Sequence, residues 1–304
     1  MRPVHIAIAT AAGIPDEFRG DDDLVASLLR QLGAQVDLSA WSAEDVDWDK
    51  FDLVAIRSTW DYSQDQPRFV KWCAEIGDRL ENDAGLVVWN SDKHYMMDLA
   101  IARIPTVPTR YVGPSDPYPE FVGEFVVKPT VSAGGKSTGR FGPSSHSSAI
   151  ELIDEITASG GVAMIQPYQA AVATSGETAV VVIDGSVSHV LRKGEILQPD
   201  EVAPVSDDWL GVAKAMYEPD LVQRSEARPE ELELTEGIMG WIETRFGTVP
   251  VACRVDMVRG ADGRSIILEL EAVEPYLYLA LAPEAAVRLA RVIFERAQAR
   301  RARS

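Results

Sequence analysis

The stretch from Cys253 to Pro275, CRVDMVRGADGRSIILELEAVEP, limits the fold more than any other part of the chain. A run rich in Val and Met, a Gly-Ala-Asp-Gly turn and an Ile/Leu run ending at Pro275 spell a β-hairpin. With Gly260 to Gly263 as the loop, Arg254 is expected opposite Glu269 and Asp256 opposite Ile267. Alternation then puts Arg254, Asp256, Glu269 and Glu271 on one face and Val255, Met257, Ile266, Leu268 and Leu270 on the other. Carboxylates at cross-strand spacings of roughly 5 to 8 Å repel, so a partly buried cluster must take up protons or bind a cation. Oxygen donors on a rigid hairpin suit Mg²⁺, which keeps part of its shell for water and substrate phosphates. A solvated face with a salt bridge from Arg254 is the alternative.

The rest of the chain has to supply a core for that hairpin, and 304 residues suffice for one large domain or two to three small ones. Residues 4 to 10, 35 to 39 and 53 to 57 read as strands and Asp22 to Leu32 as an amphipathic helix closed by Gly33, so the opening is β-α-β-α-β with a parallel sheet. The apolar start follows only one Arg, alternates like a strand and passes into an acidic segment, which reads as a first core strand and not as a signal peptide. Further helices are expected over 67 to 80, 149 to 157, 229 to 246 and the C-terminus to Arg296, and strands at Gly85 to Trp89, Phe125 to Lys128 and Val162 to Tyr168. Glu177 opens a second hairpin that turns at Asp184-Gly185 and ends at Arg192-Lys193, with His189 as a structural or wall residue. Residues 196 to 228 are acidic and irregular, with a short helix expected around Trp209 to Met216. The Pro-punctuated run Ile104 to Val112 is the natural domain boundary.

Charge and cysteine content narrow the function. A net charge of −18, from 29 basic and 47 acidic residues, argues against nucleic acid and anionic membrane surfaces as partners. A nucleotide ligand stays open, because charges beyond about 8 Å are screened and local cations decide. Cys73 and Cys253 form no disulfide framework, so a reducing cytoplasm is the expected compartment.

Two loops carry further chemistry. RSTWDY, at the carboxyl end of the third strand, presents Arg57, Ser58, Thr59, Trp60, Asp61 and Tyr62 where ligands gather in open α/β sheets. Arg57 suits a substrate carboxylate, Asp61 a substrate amine, and Trp60 and Tyr62 form walls; a capped helix start with aromatics beneath it is the plainer reading. After Lys128 comes a loop with Ser132, Gly134 and Gly135, small residues that let backbone N–H groups approach phosphate oxygens. GGKST is not a Walker A motif, since Thr130 stands where its first Gly belongs and no good helix follows. A phosphate-covering loop between two strands or a plain surface loop remains. Lys93 sits in the first turn of a helix capped by Ser91 or Asp92, where a cation opposes the dipole and calls for an anionic partner.

Taken in order, WNSDKHY, VVKPTVSAGG, IQPY, SGE, RVD and LELEAVEP resemble the ATP-grasp superfamily in its glutathione-synthetase-like branch. The resemblance implies an α/β (α+β) fold: an N-terminal parallel α/β substrate domain over 1–92 and an ATP-grasp region over 93–304, with a small lid at 110–167 and a larger antiparallel core at 168–304. It further implies ATP and Mg²⁺ as cofactors, Lys93 and Lys128 on ATP, and Gln166, Pro167 and Tyr168 as the adenine hinge. Glu177 would bind ribose, Arg254 would contact the transferring phosphoryl group with Arg192 or Lys193 assisting, and Asp256, Glu269 and Glu271 would hold the metal. Most members show Glu-x-Asn where this chain has Glu269-Leu270-Glu271. RSTWDY with LELEAVEPYLYL resembles a narrower actinobacterial group that includes the ligase closing the isoxazolidinone ring of D-cycloserine from O-ureido-D-serine, which implies a small amino-acid-like substrate. An intermolecular carboxylate–amine ligase and a non-catalytic nucleotide-binding module are the alternatives.

Overall fold

A computed structural model describes residues 2–195, 197, 199–200 and 221–303. The helix expected around Trp209 to Met216 lies outside them. The fold is mixed, with one parallel and two antiparallel sheets.

The parallel sheet comprises β1 (His5–Thr10), β2 (Gln35–Ala40), β3 (Leu53–Ile56) and β4 (Leu80–Glu81), in the order β2-β1-β3-β4. The crossover from β1 to β2 is α1 (Gly20–Gln31), whose first turn holds Asp21, Asp22 and Asp23 where the helix dipole favours anions. Between β2 and β3 there is no α-helix, contrary to the β-α-β-α-β expectation, but a single 3₁₀ turn at Trp48–Lys50, capped by the Asp47 carboxylate on the Asp49 N–H. Further along come α2 (Gln66–Ile76), α3 (Ala84–Asn90) and α4 (Tyr95–Ile101). The expected strand at Gly85 to Trp89 is therefore helix. Its Val pair suggested β structure, but the Asp83 side chain accepts from the N–H groups of Gly85 and Leu86 and starts a helix that buries Leu86, Val87 and Asn90 on one side.

A second, four-stranded sheet comprises β5 (Arg110–Val112), β6 (Phe125–Pro129), β7 (Gly139–Phe141) and β8 (Ala163–Pro167), antiparallel in the order β5-β8-β6-β7. One face packs on α5 (His146–Ala158) through Phe125, Val127, Phe141, Leu152 and Ile153. A short α6 (Ala171–Ser175) leads to the central sheet. Ahead of β5, the Pro-rich connector adds to the edge of that central sheet: Val107 N–H donates to Ile267 O at 2.9 Å and Ile267 N–H to Pro105 O at 2.8 Å.

The central sheet runs β11-β10-β9-β12-β13, with β9 (Glu177–Ile183), β10 (Ser186–Lys193), β11 (Val222–Ser225), β12 (Ala252–Arg259) and β13 (Ser265–Glu271). It is covered on both sides. Ala179, Val181 and Ile183 pack with β1, α1 and α8 (Pro283–Arg301), whereas Val180 and Val182 pack with α4 and α7 (Pro229–Phe246). This double burial is why ETAVVVI reads as a nearly continuous apolar run.

The β12–β13 hairpin differs in register from its simplest reading. Arg259 pairs with Ser265 and Met257 with Ile267, one residue off the expected pairing; a β-bulge at Leu268 then brings Glu269 opposite Asp256 and Glu271 opposite Arg254. The longer loop alone would have turned Glu269 into the apolar core beside Val255. The extra residue reverses that, so the charged residues still share a face while Ile267, not Ile266 or Leu268, joins Leu270 in the core.

Candidate active site

A cavity of about 250 Å³ lies where the β5-β8-β6-β7 sheet, the central sheet and the loop after β3 meet. The Arg254 side chain, fully buried, is its floor: Nε donates to Asp256 Oδ1 at 2.8 Å, Nη2 to Asp256 Oδ2 at 2.9 Å and also to Glu271, and Nη1 to the Tyr276 carbonyl at 2.9 Å. Beside it, Lys193 Nζ lies 2.7 Å from Asp256 Oδ2 and 2.9 Å from Glu177 Oε2. Burial would lower the Lys193 pKa, but Asp256 and Glu177 hold it above its ordinary value. Burial likewise opposes the charge on Asp256, yet Arg254 and Lys193 keep its carboxyl well below the usual range.

Glu269 joins the two halves of the site. Its carboxylate oxygens lie 3.5 Å from Lys93 Nζ and 3.5 Å from Lys128 Nζ, one at the start of α4 and one at the end of β6. Against the cost of burial, Lys128 and Lys93 hold its pKa down. Lys93 also donates to Ser132 O at 2.8 Å and to Ser132 Oγ at 3.1 Å, which ties the small-residue loop to the cavity. Lys93 stands just before the helix and not in its first turn, and its own N–H donates to Thr130 O. Glu271 behaves differently. Burial pushes its carboxyl up to about 7 although Arg254 opposes the shift, because Asp256 and Glu269 lie close by.

Of the residues singled out in sequence, Lys93, Lys128, Ser132, Gly134, Gly135, Gln166, Pro167, Tyr168, Glu177, Lys193, Arg254, Asp256, Glu269, Glu271, Trp60 and Tyr62 line this one cavity. Arg192 does not: successive strand residues face opposite sides, and its guanidinium donates to Thr178 Oγ1 at 2.5 Å on the far face. Nor do four residues of the RSTWDY loop. Arg57 and Ser58 are bound to Asp22, Thr59 is fully buried, and Asp61 accepts from the Ala12 N–H at 3.1 Å and the Trp41 indole N–H at 2.6 Å. Asp61 thus spends its acceptors on stapling the loop.

A family described as "D-cycloserine synthetase DcsG, N-terminal domain" matches residues 6–82. Over 303 residues the chain is 31% identical to the cycloserine biosynthesis protein DcsG of Streptomyces lavendulae, covering 95% of this chain and 97% of that protein. The chain belongs to the DcsG family. A crystal structure of D-cycloserine synthetase DcsG superimposes with a TM-score of 0.83 at 29% identity, covering 96% of this chain and 99% of that one. The ATP-grasp ligase PsnB, solved with a minimal precursor, Mg and ADP, superimposes with a TM-score of 0.57 at 15% identity over 96% of this chain and 98% of that one. The fold of this DcsG-family chain is therefore that of the ATP-grasp ligases.

Several residues lining the cavity or packed against its lining gave no signal in the sequence. Arg140 on β7 lies 3.5 Å over the Tyr168 ring and binds Glu124 and Glu195, while Tyr168 donates to Glu195 at 2.5 Å, a network that fixes the end of β8. Asn90 accepts from the Ala272 N–H at 2.6 Å and donates to Leu270 O at 2.8 Å, which holds the end of the carboxylate strand. Leu268, the bulge residue, and Glu274 also face the cavity. Burial raises the Glu274 carboxyl well above the ordinary range, with Glu271 adding to the shift. Only the register, the rotation of an adjacent helix or a partner far along the chain puts these side chains here.

The acids fit a hard cation by donor type, since Asp256 and Glu269 face each other as ionised carboxylates. Both are at present satisfied by Lys193, Arg254, Lys93 and Lys128, and among the described residues no three His, Cys, Asp or Glu side chains are grouped to hold a metal ion.

Proposed function

We propose that this DcsG-family protein is an ATP-dependent cyclo-ligase that activates a substrate carboxylate and closes a ring by intramolecular nitrogen attack, with O-ureido-D-serine as substrate and D-cycloserine as product. The observation that carries the reaction type is the convergence of Lys93 from the turn before α4, Lys128 from β6, Lys193 from β10 and Arg254 from β12 on one cavity. Kinship to the S. lavendulae protein supports the choice of substrate.

A carboxylate is a poor electrophile. One of its oxygens attacks the γ-phosphorus of ATP, ADP departs, and the acyl phosphate that results carries a good leaving group. Such a transfer needs in-line positioning and charge neutralisation more than covalent participation by the protein. Lys93 and Lys128 would take the phosphates, and Arg254, held rigid by Asp256 and Glu271, would meet the transferring group, with Lys193 assisting. Gln166, Pro167 and Tyr168 would carry the adenine, Glu177 the ribose, and Ser132, Gly134 and Gly135 would cover the phosphates. Asp256 and Glu269, with Glu271 beside them, would hold Mg²⁺, which neutralises phosphate charge when bound. Phosphate oxygens would compete for the lysines that engage Glu269 and leave its carboxylate available to hold the metal.

The ring nitrogen and the acyl phosphate belong to one molecule, so attack is favoured by proximity once both are enclosed. Phosphate leaves, the nitrogen loses its proton, and hydrolytic loss of the carbamoyl group completes the product. Trp60 and Tyr62 wall the acceptor side. A small molecule is the partner this cavity suits. ADP release with ATP, Mg²⁺ and O-ureido-D-serine alone, with D-cycloserine found by mass spectrometry, is the expected outcome. Release only with amino-acid mixtures would indicate an intermolecular ligase, and ATP binding without release under any condition a silent nucleotide-binding module.

A further inference from the structure

Six carboxylates line the cavity: Glu177, Glu195, Asp256, Glu269, Glu271 and Glu274. Within the described residues the first five are each ion-paired, Glu177 to Lys193, Glu195 to Arg140, Asp256 to Lys193 and Arg254, Glu269 to Lys93 and Lys128, and Glu271 to Arg254. Glu274 is buried, and among the described residues its carboxyl makes no ion pair and no hydrogen bond to another side chain. Lys93, the cation whose charge acts on it, is already engaged by Ser132 and Glu269. Burial favours the neutral form of such a carboxyl, and a ligand that brings a cation to it restores the charged form and gains the ion pair.

The backbone around Glu274 is fixed before any ligand arrives. The Trp60 indole N–H donates to the Glu274 carbonyl at 3.1 Å, Arg254 donates to the Tyr276 carbonyl at 2.9 Å, and Asn90 accepts from the Ala272 N–H at 2.6 Å. The carboxyl is therefore presented from a held segment just after β13, beside the Trp60 wall and the acids of the hairpin in the same cavity. Asp61, the residue whose position in sequence suggested an amine ligand, is consumed by Ala12 and Trp41.

We propose that Glu274 is the ammonium subsite of the acceptor pocket: it takes the primary ammonium group of a zwitterionic amino-acid substrate and so selects amino acids over plain carboxylic acids. This rests on the cyclo-ligase reading for the reaction but concerns binding. A substrate that presents both a carboxylate and an ammonium leaves its carboxylate to Arg254 and Lys193 while its ammonium supplies Glu274 with the missing cation. The Glu274→Gln side chain keeps the shape and loses the charge; Glu274→Asp keeps the charge at shorter reach.

The test compares O-ureido-D-serine with its deamino analogue, 3-(ureidooxy)propanoic acid, by calorimetry and by ADP release, in wild type, Glu274→Gln and Glu274→Asp, with ATP affinity as the control for folding. Wild type is expected to bind the amino substrate roughly 100-fold more tightly than the analogue, a preference of the size given by a charge-assisted pair. Glu274→Gln is expected to bind the two equally with ATP affinity unchanged, and Glu274→Asp to restore part of the preference. A wild type that binds both ligands equally, or a Glu274→Gln variant that keeps the preference, overturns the subsite, as does wild type that binds neither. Amine-dependent binding without ADP release leaves the subsite standing and overturns the cyclo-ligase reading instead.

Discussion

The carboxylate hairpin and the RSTWDY loop are both rich in residues suited to binding, and the fold treats them in opposite ways. On the hairpin, Arg254, Asp256, Glu269 and Glu271 all reach the cavity, and their ion pairs are with other residues of the same cavity. In the loop, Arg57, Ser58 and Asp61 are tied to Asp22, Ala12 and Trp41, which belong to the scaffold, and only Trp60 and Tyr62 face the ligand space. A polar side chain serves a ligand only if its bonds are not already exhausted by the scaffold. The same distinction separates Lys193 from its neighbour Arg192.

The largest effect is expected at the hairpin. Arg254→Met leaves Asp256 and Glu271 buried without their partner, and we expect ADP release to fall by roughly 10³-fold or more and urea unfolding to report a loss of about 3 to 5 kcal/mol. Retained activity in that variant would put Arg254 with the scaffold and not with the ligand. Next in size is the adjacent pair. Lys193→Met should lower kcat by roughly 10²-fold to 10³-fold, whereas Arg192→Met should stay within about twofold of wild type, both read by steady-state ADP release.

The loop should answer in stability. Asp61→Ala strands the Trp41 indole and the Ala12 N–H and is expected to cost about 2 kcal/mol in urea unfolding, with kcat/KM changed less than about threefold. A large loss of kcat/KM without loss of stability would return Asp61 to the substrate.

The smallest effect separates the two regions by pH. Asp21, beside Arg57, is pushed by burial from 3.8 up to about 6. A folded pKa above the unfolded one favours folding fully at low pH, and that contribution is lost as pH rises through 6. Asp21→Asn should therefore remove about 1 kcal/mol of the fall in stability between pH 5 and 7. Asp256 and Glu269 are held below their ordinary values, so their contribution has the opposite sign and is lost on acidification.

How much could be read from sequence follows the same division. Along a strand, direction follows parity, so the shared face of Arg254 and Asp256 and the turn at Asp184-Gly185 were legible. Parity also separates Arg192 from Lys193 once the face of one is known. Register was less so: a longer loop and the bulge at Leu268 each shift β13, and their effects on Glu269 and Glu271 offset each other. In the RSTWDY loop there is no period to use, and orientation depends on Asp22 and Trp41, tens of residues away. The strand expected at Gly85 to Trp89 failed because the Asp83 cap and the burial pattern outweigh the β preference of two valines. Glu274 gave no signal because its importance lies in what it does not contact.

The central claim is that the substrate carboxylate is phosphorylated before the ring closes, and an isotope reports it directly. O-ureido-D-serine labelled with ¹⁸O in both carboxylate oxygens is incubated with ATP and Mg²⁺, and the released phosphate is analysed by mass spectrometry. The account predicts that one ¹⁸O passes from each carboxylate turned over into inorganic phosphate, with ADP and D-cycloserine formed in equal amounts. Phosphate without label, formed alongside D-cycloserine, would contradict it.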